Sequence, residues 1–273
     1  RFELTRKYSL PVLLASVSTF ALGLITGFAY NIPLGILAAL GAAVIYTGLH
    51  FLRVRWWLWT TALLSFIIAY FAFFNLELIQ KWNVFFGYQT LFLSLLFLLP
   101  DLFLKKDLAA NKDWRWPPRV YGVVFTLYTS LVVIVQNEAT HAAICFGVYA
   151  LFFAAYTFAQ RKAMLGYLPT VYLPLSIIYA LNYFNVDAWL PTLTALAVLY
   201  FIIGVAVRSK EKWSLVLRNS GLALGTILSF SALFLLKESG GWYALVVGLL
   251  FMAEMALSHE GWFELGAPVL FSI

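Results

Sequence analysis

About ten apolar runs, each roughly 18 residues or longer and nearly free of charge, follow one another along this chain of 273 residues. That pattern excludes most of the folds a chain can adopt. Runs of this length cross the hydrocarbon of a bilayer as α-helices. Only helices and closed barrels satisfy their backbone polar groups in lipid. Barrel strands alternate in polarity and are about ten residues long, so continuous runs predict helices. Composition agrees, with 63% hydrophobic and 11% charged residues against about 25% charged in a soluble domain. The mean hydropathy is +0.89. The reading is an all-α, polytopic integral membrane protein.

The expected spans cover about 8–29, 32–52, 56–76, 84–104, 118–136, 140–159, 164–184, 187–207, 214–236 and 241–258. The longest polar loop runs from Lys105 to Arg119. With this division, all but two of the 18 lysines and arginines fall at one end of the spans, the exceptions being Lys81 and Lys237. The positive-inside rule then puts the basic loops and the N-terminus in the cytoplasm, and the expected location is a bacterial inner membrane. Tryptophan gives an independent check. Trp56, Trp57, Trp59, Trp114, Trp116, Trp213 and Trp262 follow basic loops, and Trp82, Trp189 and Trp242 open spans at the other end. An indole at an interface buries its ring and keeps its N–H wet. The net charge of +6 is therefore read as loop topology, and no nucleic-acid partner is expected. The expected partners are the bilayer and other membrane subunits.

Basic clusters recur about every 50 residues, at Arg53/Arg55, Lys105/Lys106, Arg161/Lys162 and Arg208/Lys210, then at His259. The turns at the opposite end are short and polar, as in Asn137-Glu138 and Asn185-Val186-Asp187. The chain is read as one membrane domain, residues 1–273, of about five tandem helical hairpins. Residues Trp262 to Ile273 are apolar but too short to span, since a crossing needs about 20 residues. They read as the opening of an eleventh helix in a longer protein.

The stretch "ESGGWYALVVGLLFMAEMALSHEGWFELGAPVLFSI", Glu238 to Ile273, resembles a repeat unit of uncharacterised, many-helix bacterial membrane proteins. In these a Gly-Gly-Trp opening, an apolar helix and a charged-Trp-leucine ending recur in tandem. The resemblance implies tandem hairpins and carries no activity. Drug/metabolite transporters are similar in length and helix count only. Their inverted five-helix halves do not agree with an even-numbered hairpin repeat.

Ionisable residues within spans are functional candidates, because they are costly in hydrocarbon. Asp101, Glu254, Glu77 and His50 qualify, each near a span end. Interfacial pairing with lysine or arginine is the plain reading, with Arg208 or Lys210 expected near Glu254. The sharper one makes Asp101 and Glu254 a proton or cation site. His50, His141 and His259 are scattered and lack metal-ligand spacing, so no metal or other cofactor is expected. Cys145 lies in an apolar run and reads as a small core residue. No nucleophile–base pattern or phosphate loop is present, and no catalytic residue is assigned. Small-residue stripes at Gly23-Gly27, Gly35-Ala39-Ala43 and Gly221-Gly225-Ser229 predict close helix packing. Pro174, with Pro169 before it and Pro191 in the next span, is placed to kink a helix that also carries Tyr172, Tyr179 and Tyr183.

Two functions remain on these residues. The first is a non-enzymatic membrane module for packing, anchoring or assembly. The second is a transporter of a small apolar or weakly polar solute.

Overall fold

The computed structural model describes residues 21–29, 31–52, 56–103, 111–207, 210–236 and 240–258. Every regular element among them is helical. Helix α1 covers residues 21–29. It is followed by α2 (Ile32–Leu52), α3 (Trp56–Phe74), the short α4 (Glu77–Gln80), α5 (Phe86–Leu98), the short α6 (Pro100–Phe103) and α7 (Asn111–Gln136). Then come α8 (Ala139–Gln160), a 3-10 turn (Ala163–Gly166), α9 (Tyr167–Tyr183), α10 (Trp189–Ala206), α11 (Glu211–Leu236) and α12 (Gly241–Ser258). Eight of the described helices are long and apolar enough to cross a membrane. The remaining expected spans are α12, of 18 residues, and the first, of which residues 8–20 lie outside the described residues. His259, Trp262 and the expected eleventh helix lie outside them too.

The turns follow from asparagine. Asn83, Asn137 and Asn185 have φ of 45°, 50° and 53°, the left-handed region that ends helices and that asparagine tolerates better than most residues. All three sit at the ends opposite the basic loops. Arg161, φ 51°, closes α8 in the same conformation at a basic end.

One boundary differs from expectation. The polar stretch before the fifth span is helical from Asn111, with Pro117 and Pro118 inside the helix. Proline inside a helix withholds the N–H that the carbonyl four residues earlier accepts. For Pro118 that carbonyl belongs to Trp114, and it accepts the indole N–H of Trp59 instead at 3.0 Å. The orphaned acceptor is satisfied by a neighbouring helix, so α7 continues through the pair.

Contacts divide the chain into two compact units, Arg1–Tyr128 and Thr129–Ile273. In the first, α2 and α3 meet through Ala42, Tyr46, Leu58 and Ala62. A second core joins α3, α5 and α7 through Leu63, Ile67, Leu93 and Phe97, with Tyr121 and Phe125 against it. In the second unit, α8 and α9 stack aromatic rings, Tyr149 on Tyr172 at 5.2 Å and Phe153 on Tyr172 at 5.6 Å. The α10–α11 core holds Leu193, Tyr200, Leu228 and Ala232, and Phe201, Leu222 and Leu250 bring in α12.

The small-residue stripes are used in part. A Cβ on Gly27 would stand 3.2 Å from the Cα of Gly35, and one on Gly35 would strike the ring of Phe28. Gly23, by contrast, has nothing within 4 Å among the described residues and is exposed, so the expected contact of α1 with α2 begins at Gly27. On α2 the buried line runs Gly35, Ala39, Ala42, Tyr46, His50, with Ala43 only half-buried. A strict four-residue spacing drifts off one face of a helix with 3.6 residues per turn. On α11, Gly221 faces α10, where an added Cβ would lie 2.6 Å from the Ala197 carbonyl oxygen. Gly225 faces Val247 of α12, and Ser229 donates to the carbonyls of Gly225 and Tyr243.

Candidate functional site

Each unit buries one carboxylate near a basic end and closes arginine around it. In the first unit Pro100 separates α5 from α6 and starts a new turn, which carries Asp101 inward, 2% exposed. The first turns of α7 place Arg115 and Arg119 one turn apart on one face. The Arg115 Nε donates to Asp101 Oδ1 at 2.6 Å, and its Nη2 touches the same oxygen. The Arg119 Nε donates to Oδ2 at 2.9 Å, and its Nη2 lies 2.6 Å and 2.7 Å from Oδ1 and Oδ2. The Arg115 side chain is 10% exposed and that of Arg119 38%. Arginine suits this place because its planar fork matches a carboxylate and it cannot deprotonate.

His50 sits close by in the same unit, fully buried. Its ring lies edge-on to Trp114 at 4.1 Å and stacks over Trp59 at 6.0 Å. Expected at an interface, it is instead enclosed by two of the tryptophans that the sequence puts there.

In the second unit Glu254 is fully buried, and the Arg218 Nη1 donates to both its oxygens at 2.8 Å and 2.9 Å. Arg218 stands seven residues into α11 and Glu254 four residues before the end of α12. The two backbones thus lie about 10 Å and about 6 Å from their basic ends. Gly204 of α10 makes room for the arginine: a Cβ there would fall 2.6 Å from Arg218 Cγ and 2.9 Å from its backbone nitrogen. The buried Arg218 Nε and Ser214 Oγ have no hydrogen-bond partner among the described residues. The described ion-pair partner of Glu254 is therefore Arg218, a residue of the span and not of the loop before it. A side chain on the neighbouring helix at matching depth can turn inward, whereas a loop residue must leave water. Arg208 lies outside the described residues.

The other candidates do not converge on these pairs. Glu77 is exposed at the start of α4. His141 lies 3.1 Å from Glu138 in the turn before α8, and Cys145 is fully buried. No group of three His, Cys, Asp or Glu side chains that could hold a metal occurs among the described residues. Pro169 and Pro191 sit in first turns, where a missing N–H is harmless. Pro174 is buried inside α9. Tyr172 shares a hydrogen bond of 3.2 Å with Ser130, Tyr179 lies against Phe146 at 5.7 Å, and Tyr183 is exposed. Elsewhere in the spans, most hydroxyls join helices or bond back to their own backbone, while those of Tyr200 and Ser214 have no partner among the described residues. Ser176 donates to the Ala143 carbonyl at 2.8 Å, Thr170 meets Ser220 at 2.8 Å, and Thr157 and Thr194 each bond four residues back. An open cleft of about 500 Å³ in the first unit is lined by Phe71, Asn75, Phe86, Phe125 and Tyr128, and its walls are almost wholly carbon.

Comparison with family models, with curated proteins and with solved structures finds no match for this chain.

Proposed function

We propose that this chain is a non-enzymatic membrane module, a packing, anchoring or assembly subunit of a larger membrane complex. The observation that carries the reading is how its polar groups are used. Among the described residues the two buried carboxylates sit on arginines of the same chain, and the hydroxyls of Thr157, Thr170, Ser176, Thr194 and Ser220 bond to helix backbones or to each other. Lone ionisable groups in a membrane interior mark ion and substrate paths; closed pairs at the ends of helices support a structural role. The faces left over are broad and apolar. Only 17% of the span Ala163–Tyr183 and 22% of the span Ile32–Leu52 is buried within the chain, which leaves surface for lipid and for neighbouring subunits.

The same reading has ten spans in five tandem hairpins, with the basic loops and N-terminus in the cytoplasm of a bacterial inner membrane. A cysteine placed at Lys112 that reacts from outside intact cells would refute that orientation. For the function, the native membrane is cross-linked, solubilised in mild detergent and the chain purified with its neighbours for mass measurement. The expected result is a defined complex larger than one chain and its lipid. A single chain that moves a small apolar solute across liposomes would replace this reading with the transporter.

A further inference from the structure

By sequence, the loops expected at the basic side of the first unit carry more positive charge than their acids can neutralise. Between residues 50 and 120 the sequence assigns seven arginines and lysines to that side, against Asp101, Asp107 and Asp113. Four cations remain in excess even if every aspartate is paired. The carboxylate of Asp101 has already fixed the Arg119 guanidinium by three hydrogen bonds, yet that side chain stays 38% exposed. Trp116 stands one turn earlier on α7 and is 57% exposed, and residues three apart on a helix are neighbours.

We propose that Arg119 and Trp116 form a binding site for the phosphate of an acidic phospholipid headgroup. The chemistry follows from the parts. A guanidinium is a planar fork that matches phosphate oxygens. One already held on a carboxylate has less rotamer freedom to lose on binding a second anion. An indole in the interfacial layer keeps its ring toward hydrocarbon and offers its N–H to a phosphate or ester oxygen. The surplus charge selects an acidic headgroup over a zwitterionic one, whose own cation it repels. The inference rests on the spanning helices and is independent of the assembly role.

The test uses the full chain in detergent, with retained phosphatidylglycerol counted by native mass spectrometry against phosphatidylcholine as the zwitterionic probe. Arg119→Gln removes both the charge and the fork, and is expected to weaken phosphatidylglycerol retention about fiftyfold. Arg161→Gln removes one exposed charge from another basic loop and is expected to weaken it about fivefold or less, the weight of one basic residue near an anionic surface. Inorganic phosphate at millimolar concentration is expected not to displace the lipid. Equal losses in the two variants overturn the proposal in favour of general attraction. Displacement by inorganic phosphate overturns it in favour of a soluble anion site. Should Arg119→Gln fail to unfold cooperatively, Arg119→Lys decides. It keeps the charge beside Asp101 and loses the fork, so it should weaken retention about tenfold, and unchanged retention overturns the proposal.

Discussion

Replacing Glu254 by glutamine isolates what the buried pair of the second unit contributes. The glutamine is nearly isosteric, so the packing around a fully buried side chain is kept. What changes is charge: Arg218, whose side chain is 10% exposed, loses the anion that faces it. Removing one partner of a buried pair costs about 3–5 kcal/mol, because the other charge is left uncompensated. Here the lower end applies. The Arg218 backbone lies about 10 Å from the start of α11, and a long side chain can bend part of the way to the interface. Its stem is hemmed in by Gly204, and its Nε already lacks a partner among the described residues, so the escape is incomplete. Glu254→Gln is therefore expected to destabilise the chain by about 3 kcal/mol, a large part of a typical folding free energy of about 5–15 kcal/mol. The second arm replaces both partners by an apolar side chain, Glu254→Met with Arg218→Met. Apolar replacement of a buried ion pair is often neutral, so the double variant should return to within about 1 kcal/mol of the parent. The assay is unfolding by an SDS titration in mixed micelles, followed by helical circular dichroism. A double variant no more stable than the single one would show that the loss comes from packing and not from an orphaned charge, and the reasoning fails.

Gly221→Leu should destabilise the same unfolding transition by about 3 kcal/mol or more, because the new Cβ meets a backbone carbonyl oxygen at 2.6 Å. Gly23→Leu should leave it unchanged, since none of the described residues lies within 4 Å there; similar losses in both would refute the assignment of the contact. Trp59→Phe should cost about 1 kcal/mol by stranding the Trp114 carbonyl. In a Pro118→Ala background, where residue 118 supplies the helical N–H, the same change should cost measurably less. A penalty equal in both backgrounds would mean that the indole bond does not compensate for the proline.

The spans were legible because their signal is local: a run of apolar residues long enough to cross hydrocarbon carries the information within itself. The turns at Asn83, Asn137 and Asn185 were legible for the same reason, since the conformation that ends each helix is a property of the residue at the end. The start of α7 was not. Pro117 and Pro118 break a helix by every local rule, and what rescues α7 is an indole N–H from 55 residues away. The buried charges were legible in part. Asp101 and Glu254 stood out as candidates by type and depth, and pairing with nearby lysine or arginine was expected, as Arg115 and Arg119 supply for Asp101; for Glu254 the cations of the preceding loop were expected, because a count of positive charge along the chain does not say which way a side chain turns. Arg218 carried the one usable clue: it lies inside the span expected from 214 to 236, at a depth that matches Glu254 on the next helix. His50, Trp59 and Trp114 show the converse. A tryptophan at the boundary satisfies the interfacial rule whether it faces outward, exposed as Trp116 is, or turns inward to cover a buried histidine. Composition gives the depth of a residue in the membrane. The direction in which it faces is settled only by the neighbours that tertiary packing brings to it, and the pairing that closes a charge or leaves it for a ligand depends on that direction.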